Sequence, residues 1–528
     1  MLISCACVGQ EFGIAVGIKA DDKGEQKEFK EKLMASLTKT AFPNAVIYDW
    51  TADGSLIYQQ SEAYPELPIE KAIFIKQYIK TSDKKKPEIV TKKDTTGQVV
   101  SAHFNVFFEV RYTMKAIDVV TGEILSVPEV YELKDKLGGI TPLKIDVKKY
   151  YAKKPPLSKS GRSRGRTAAI YEDYEEQLVK KYNECKKSKL SRLKDVRWKA
   201  RAAVEDDIYP ITINEQEDGL YKSVTIDMTD KSPLPKGEIL NLFAKVDIVG
   251  KPGVDYITYV EVKSVEGQQA IGRKTFLQGK KKFSKKLAEH KALYGVTDVN
   301  MAPKIAAKAT DRVNIALEAD AANRVAYERR MLRLPAVAVV ERGYEKELQH
   351  LRSMYKDERY IDYDMGDLQD KLVGVQYLLT IDKENVNVTD VATGQLVAID
   401  KDEGRRNWFA PGYTTVQALN MSLMKISNDP IELLEVTDQS KDKVKKIRLY
   451  HPIGFEIREK LDITMVISEE VAGKTYDRKE FIGKGWVTST KENPNFGVLK
   501  VNKKGRKAVA KAIADGSTLE FMYSIKRD

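Results

Sequence analysis

The octapeptide Asp118-Val-Val-Thr-Gly-Glu-Ile-Leu125 returns 272 residues later as Asp390-Val-Ala-Thr-Gly-Gln-Leu-Val397. Each copy follows a β-prone run, and each is an Asp-x-x-Thr-Gly turn opening into a fresh apolar pair. The flanks repeat as well. Pro43-Asn-Ala-Val-Ile-Tyr-Asp-Trp50 parallels Pro335-Ala-Val-Ala-Val-Val-Glu-Arg342, and the stretch from Gly279 to Glu289 parallels that from Gly505 to Asp515. Three echoes in one order predict a duplicated unit with loops of different length. The spacing between echoes shrinks along the chain, so the first copy carries more sequence, mostly after its hairpin. A duplicated chain usually makes a scaffold or binding surface.

At 528 residues the chain has room for roughly three or four domains. Its 42% hydrophobic and 31% charged residues are ordinary for a soluble globular protein. No stretch approaches the roughly 20 apolar residues of a membrane helix. A net charge of +12 fits either a solvated basic surface or contact with a phosphate-rich partner, whether anionic lipid, glycan or nucleic acid.

The three cysteines, Cys5, Cys7 and Cys185, make neither a disulfide framework nor a zinc site. Residues 1–10 read as a remnant of an export signal. Leu2-Ile3-Ser4-Cys5 has the form of a bacterial lipobox, in which Cys5 would be lipidated after cleavage. Cys7-Val8-Gly9 is an alternative signal-peptidase site that would leave Gln10 as the mature start. A basic leader and a full apolar core are not seen ahead of either. The competing reading is an ordinary first strand with two buried thiols.

Residues 11–140 read as a first α/β unit. Phe12–Ile18 is a strand, Lys27–Leu37 a helix with Phe29, Leu33, Met34 and Leu37 on one stripe, and Ala45–Tyr48 a strand. Pro68–Ile79 reads as a second helix, from Ile69, Ala72, Ile73 and Ile75, and His103–Val119 as a long β run. Residues 141–215 are a basic linker and charged helical insert. Lys148, Lys149, Lys153, Lys154, Arg162, Arg164 and Arg166 form its flexible part. Tyr171, Tyr174, Leu178 and Tyr182 then recur at helical spacing within one or two helices over Thr167–Val204.

Residues 216–298 form a first β module, with strands at Gly237–Val249, Tyr256–Val265 and Ala270–Leu277 and a Lys-rich helix at Lys280–Ala292. Residues 299–440 form a second α/β unit, with a helix at Ala321–Leu332 and strands at Ala336–Val340 and up to Thr380. Residues 441–528 form a second β module: strands at Lys460–Ser468, Lys484–Thr490, Phe496–Val501 and Thr518–Ile525, and a helix at Gly505–Ala514. Short strands with glycine-rich turns suit a small barrel or sandwich. The fold class expected is α/β (α+β).

The stretch 336–397 carries a resemblance. A strand ending in Val340-Glu341-Arg342 precedes Tyr344-Glu-Lys-Glu-Leu-Gln-His350, a polar loop with Asp362, Asp364 and Asp367, Leu372-Val-Gly-Val-Gln-Tyr-Leu-Leu379, and Asp390-Val-Ala-Thr-Gly394. This order resembles the curli-secretion lipoprotein CsgG and its relatives; the penicillin-binding-protein activator LpoB and the amino-terminal domain of TolB look similar in fold. The resemblance implies duplicated CsgG/TolB-N-like α/β sandwich units and an envelope-binding role. The first copy departs from it, with Asp49-Trp50 where Glu341-Arg342 stand. Pore formation is not carried over, because Lys92-Lys93-Asp94 and Gly97 interrupt the candidate hairpin between Ile89 and Met114.

Candidate chemistry is sparse. Glu341-Arg342 is either a partner contact or a structural ion pair. His103, His290, His350 and His451 stand alone, without a second ligand at metal spacing. No Walker loop, Gly-x-Gly-x-x-Gly or Gly-x-Ser-x-Gly occurs. No enzyme, metal or cofactor is expected. The sharper candidate is the insert, where Lys148, Lys149, Lys153, Lys154, Arg162, Arg164, Arg166, Arg197, Trp198 and Arg201 form a surface for an anionic partner. The expected function is an exported, periplasmic or outer-membrane-associated scaffold that binds other envelope proteins or anionic envelope components. Peripheral or lipid-anchored attachment and oligomerisation are compatible with it. The alternative is an intracellular nucleic-acid-binding protein using residues 148–201.

Overall fold

The computed structural model describes residues 13–20, 23–37, 46–50, 56–58, 69–127, 131–132, 140–146, 164–204, 208–214, 223–229, 234, 236–273, 290, 292–297, 312–319, 321–334, 336–353, 374–382, 385–401, 419, 422–423, 426, 429–455, 458–471, 474–490 and 493–523. These residues form a mixed α/β structure with several sheets, divided between two compact units. The first comprises Met1–Val119, Pro128–Val204 and Lys346–Asp364; the second comprises Val120–Val127, Glu205–Glu345 and Met365–Asp528.

The first unit begins with β1 (Gly13–Lys19), α1 (Gly24–Ser36), β2 (Val46–Trp50), β3 (Leu56–Tyr58), β4 (Ile69–Thr81), β5 (Glu88–Lys93) and β6 (Val99–Asp118). The strand order is β3-β2-β1-β4-β6-β5. β1 runs parallel to both β2 and β4, and β4 pairs antiparallel with β6. The stretch Pro68–Ile79, expected as a helix, is therefore the strand β4. Its apolar residues satisfy helical spacing by accident. Held between β1 and β6, the run Ala72–Ile75 is buried on both faces, which calls for continuous apolar sequence rather than alternation.

The supposed break at Lys92-Lys93-Asp94 is a hairpin turn. Asp94 accepts backbone N–H bonds from Thr96 and Gln98, both at 2.9 Å, and β5 returns into β6. Along β6 the burial alternates strictly from Ala102 to Met114. Two helices, α2 (Arg164–Ser191) and α3 (Leu193–Val204), occupy the stretch Thr167–Val204 expected to be helical. Tyr171 and Tyr174 of α2 lie 5.5 and 5.4 Å from the Phe104 ring, and Tyr182 lies 5.6 Å from Phe108. Phe108 in turn stacks on Phe29 of α1. The helical insert thus covers the apolar side of β6. β7 (Ile124–Ser126) belongs to the second unit, while β8 (Tyr131–Glu132) and β9 (Ile140–Ile145) pair along β6.

The second unit opens its main stretch with a closed six-stranded barrel. Its strands are β10 (Ile208–Asn214), β11 (Ser223–Asp227), β12 (Ile239–Ile248), β13 (Lys251–Glu266), β14 (Gln269–Arg273) and β15 (Leu293–Val296), in the order β10-β11-β14-β13-β12-β15. Val224, Ile226, Leu240, Leu242, Val260 and Val262 fill it. The barrel starts inside the stretch assigned above to the insert. The helix expected over Lys280–Ala292 falls almost wholly outside the described residues.

There follow β16 (Val313–Ala319), α4 (Ala321–Leu332), β17 (Val337–Val340), α5 (Glu345–Ser353), β18 (Tyr377–Asp382), β19 (Asn385–Asp390) and β20 (Leu396–Lys401). The sheet order is β17-β16-β18-β19-β20. β16 is parallel to β17 and β18, and the remaining pairs are antiparallel. That is the order and direction of β2-β1-β4-β6 in the first unit. β16, the central strand, was not anticipated. The segment from Val120 to Val127 lies against β17: Glu123 bridges Val340, the Glu341 N–H donates to Gly122 O at 2.9 Å, and Ile124 and Val127 enter the core with Ile315, Val339 and Leu379.

The last module begins earlier than expected, at β21 (Glu432–Ser440). It continues through β22 (Lys443–Tyr450), β23 (Lys460–Val471), β24 (Lys474–Ser489), β25 (Phe496–Val501), α6 (Arg506–Ala514) and β26 (Leu519–Tyr523). Its order, β21-β22-β25-β24-β23-β26, places the strands first-second-fifth-fourth-third-sixth, the same arrangement as in the barrel. The Asn493 side chain joins the two β modules as a peptide group would. Its Oδ1 accepts the Val254 N–H at 2.6 Å and its Nδ2 donates to Val254 O. Nearby, Lys251 pairs with Glu432 at 2.9 Å and lies over the Tyr450 ring. Among the described residues no helix is long and apolar enough to cross a membrane.

Candidate functional site

Glu341 sits where β17 ends, with its side chain buried. Its partner is not Arg342, which is exposed, but Arg324 on α4, 3.0 Å away. Arg324 also bonds the buried Glu328, one helical turn on, at 2.9 Å. Glu341 Oε1 accepts the Gly343 N–H as well, so it caps the turn after β17. Burial opposes the charge on Arg324, but Glu341 and then Glu328 hold its pKa above the usual guanidinium value. Two carboxylates and one guanidinium, desolvated together, form a structural clamp. The pair proposed from adjacency in sequence is thus replaced by one between a strand end and the preceding helix.

The basic insert is only partly a free surface. Cys5, Lys148, Lys149, Lys153, Lys154 and Arg162 lie outside the described residues. Arg164 and Arg166 lie on the first turn of α2, and Trp198 lies on α3. Arg197, expected to meet an anionic partner, is half-buried and donates to Ser36 Oγ at 3.4 Å; burial and then neighbouring Arg201 lower its pKa. Lys186 turns onto Glu25 and Glu28 of α1, and Lys189 is buried. Helical periodicity explains this. The stripe that carries Tyr174, Leu178 and Tyr182 inward also brings in Lys186 and Lys189, and Glu25 and Glu28 take up the charge of Lys186.

A different basic surface lies on the last module. The cross-strand register sets Lys446, Lys500, Trp486 and Lys460 side by side on β22, β25, β24 and β23. They occupy the face opposite the core residues Ile447, Leu499, Val487 and Leu461. Lys484, Asp462 and Met522 form the next row, and Phe481, Thr464 and Glu520 the one beyond. Phe481 is 53% exposed, Met522 47% and Trp486 37%, so large apolar side chains stand in solvent. Lys500 lies 5.2 Å from the Trp486 ring centroid and Lys484 5.6 Å from that of Phe481. The strand expected at Lys484–Thr490 is the end of β24, and its even-numbered residues face outward. Alternation of Lys484, Trp486 and Thr488 with Gly485 and Val487 was the available signal.

His451 is wholly buried. Nδ1 accepts the Ile453 N–H at 3.1 Å, so Nε2 carries the proton and donates to Asp429 O at 3.0 Å. Burial pushes its pKa below the usual imidazole value. No group of three or more His, Cys, Asp or Glu is placed to hold a metal among the described residues. The chain matches no family model, and no curated protein matches it.

Proposed function

We propose that the chain is a non-enzymatic binding or assembly scaffold of the bacterial cell envelope, built from two copies of a CsgG/TolB-N/LpoB-like α/β unit, each followed by a small β module. The observation that carries this reading is the paired strand order. The α/β sheets share β2-β1-β4-β6 and β17-β16-β18-β19, and the β modules share one six-strand order. The two Asp-x-x-Thr-Gly turns are also bonded alike. The Glu123 N–H donates to Thr121 Oγ1 at 3.2 Å, as the Gln395 N–H donates to Thr393 Oγ1 at 3.3 Å. Gly122 and Gly394 take φ values of 77° and 69°, which an L side chain resists.

Among the described residues, the buried groups Glu341, Glu328, Arg324 and His451 are committed to internal bonds, which favours a scaffold over a reaction centre. The alternative, nucleic-acid binding through residues 148–201, is weakened because Lys186, Lys189 and Arg197 face inward. Fractionation of cells making the full-length product tests the proposal, together with labelling by a radioactive fatty acid and a Cys5→Ser control. Recovery in the envelope fraction is expected. Recovery in the cytosol would overturn it.

A further inference from the structure

We infer that the outer face of the last module, around Trp486, docks on an anionic bilayer surface. Lys446, Lys460, Lys479, Lys484 and Lys500 lie on β22 to β25 of this face, against Asp462 and Glu520. Asp462 is held by Lys484 at 3.3 Å and Glu520 by Lys479 at 2.6 Å. At the far edge Asp438 lies opposite Lys446 and 3.6 Å from Lys445. The row Lys446–Lys500–Trp486–Lys460 spans three strand spacings, about 14 Å. A planar array of phosphate head groups meets such a row at every position.

The apolar members favour lipid over a nucleic acid strand. Single-stranded nucleic acid needs open ring faces for bases to stack on. Here Lys500 and Lys484 lie over the Trp486 and Phe481 rings. Met522 has no ring at all. Ammonium groups set over aromatic rings, next to an exposed thioether, suit the head-group boundary, where aromatic and lysine side chains keep one end wet and the other in hydrocarbon. The proposal sharpens the envelope reading by naming a contact surface, although an anionic bilayer would be bound wherever the chain resides.

The test uses the full chain with vesicles of phosphatidylcholine, with and without phosphatidylglycerol, at low and high salt. Binding that needs phosphatidylglycerol and weakens with salt is expected. Replacing Lys446, Lys460 and Lys500 together by Gln should lower partitioning on the order of 100-fold. Trp486→Ser and Phe481→Ser should each lower it about tenfold. These side chains lie off the core, so circular dichroism and melting should not change. As a second readout, brominated lipids should quench a tryptophan signal that disappears in Trp486→Phe.

Equal binding to both vesicle types would overturn the proposal, as would variants that bind like the parent. So would binding to oligothymidylate, abolished by the same lysine changes, without vesicle binding. A cytosolic product that still binds vesicles would sink the envelope reading and leave this surface standing. An envelope product that ignores vesicles would do the reverse.

Discussion

Asn493 holds both backbone groups of Val254, accepting from its N–H and donating to its carbonyl. One side-chain amide stands in for a strand neighbour at a buried position of β13, and ties the barrel to the last module. Asn493→Ala would leave both Val254 groups buried without this partner, at a cost of about 2–3 kcal/mol. Thermal unfolding should show a drop of several degrees. Asn493→Asp should recover little, because a carboxylate would face the Val254 carbonyl. An unchanged melting temperature for the alanine variant would show that this contact does not tie the modules.

The Glu341–Arg324–Glu328 clamp separates a structural from a surface role. Glu341→Ala leaves Arg324 with Glu328 alone and uncaps the turn at Gly343, and should cost about 1.5–3 kcal/mol. Arg342→Ala, at an exposed position, should change stability by no more than about 0.5 kcal/mol. Denaturant titration of both variants decides between them. Equal losses would restore the pairing expected from sequence adjacency.

Gly394 gives a cleaner backbone test. A Cβ there meets nothing within 4 Å, so the whole effect of Gly394→Ala comes from its φ of 69°. About 1–2 kcal/mol of destabilisation is expected. Thr393→Val should add to it by removing the hydroxyl bonded to Asp390 at 3.0 Å. A Gly394→Ala variant as stable as the parent would mean the turn takes up another conformation.

His451 makes stability depend on pH. Its folded-state pKa lies below the ordinary imidazole value of about 6.5, so between the two values the unfolded chain binds the extra proton. The contribution is present in full above that ordinary value and is lost as pH falls below it. His451→Gln, which keeps one donor and one acceptor, should flatten this part of the profile. Melting curves in a pH series measure it. A slope that persists in His451→Gln would assign the effect to another group.

Much of the fold was legible in sequence where local chemistry decides. Residues 321–332 and 496–501 were found to the residue, because their periodicity and boundaries agree. β4 was misread for a physical reason. A strand buried on both faces loses the period of two, and four apolar residues then imitate a helix. The partner of Glu341 was illegible because Arg324 lies seventeen positions upstream, and only the packing of α4 against the strand end brings them together. The basic insert misled in the opposite direction. A run of lysines reads as solvated, yet Lys186 and Lys189 share a helical stripe with Tyr182 and turn inward.

Each compact unit includes a piece drawn from the far stretch of chain: residues 120–127 in the second, 346–364 in the first. Within the first unit Leu348 and Leu351 are buried, and Arg352 donates to Val119 O at 2.6 Å. Unit one therefore cannot be complete when Val204 leaves the ribosome. At about 5–20 residues per second, roughly 7–30 s pass before Ser353 follows. Chains stalled short of Lys346 should leave the first unit sensitive to protease, and chains stalled well beyond Ser353 should protect it. The other strands and helices of the first unit are thus all synthesised well before the segment that completes it.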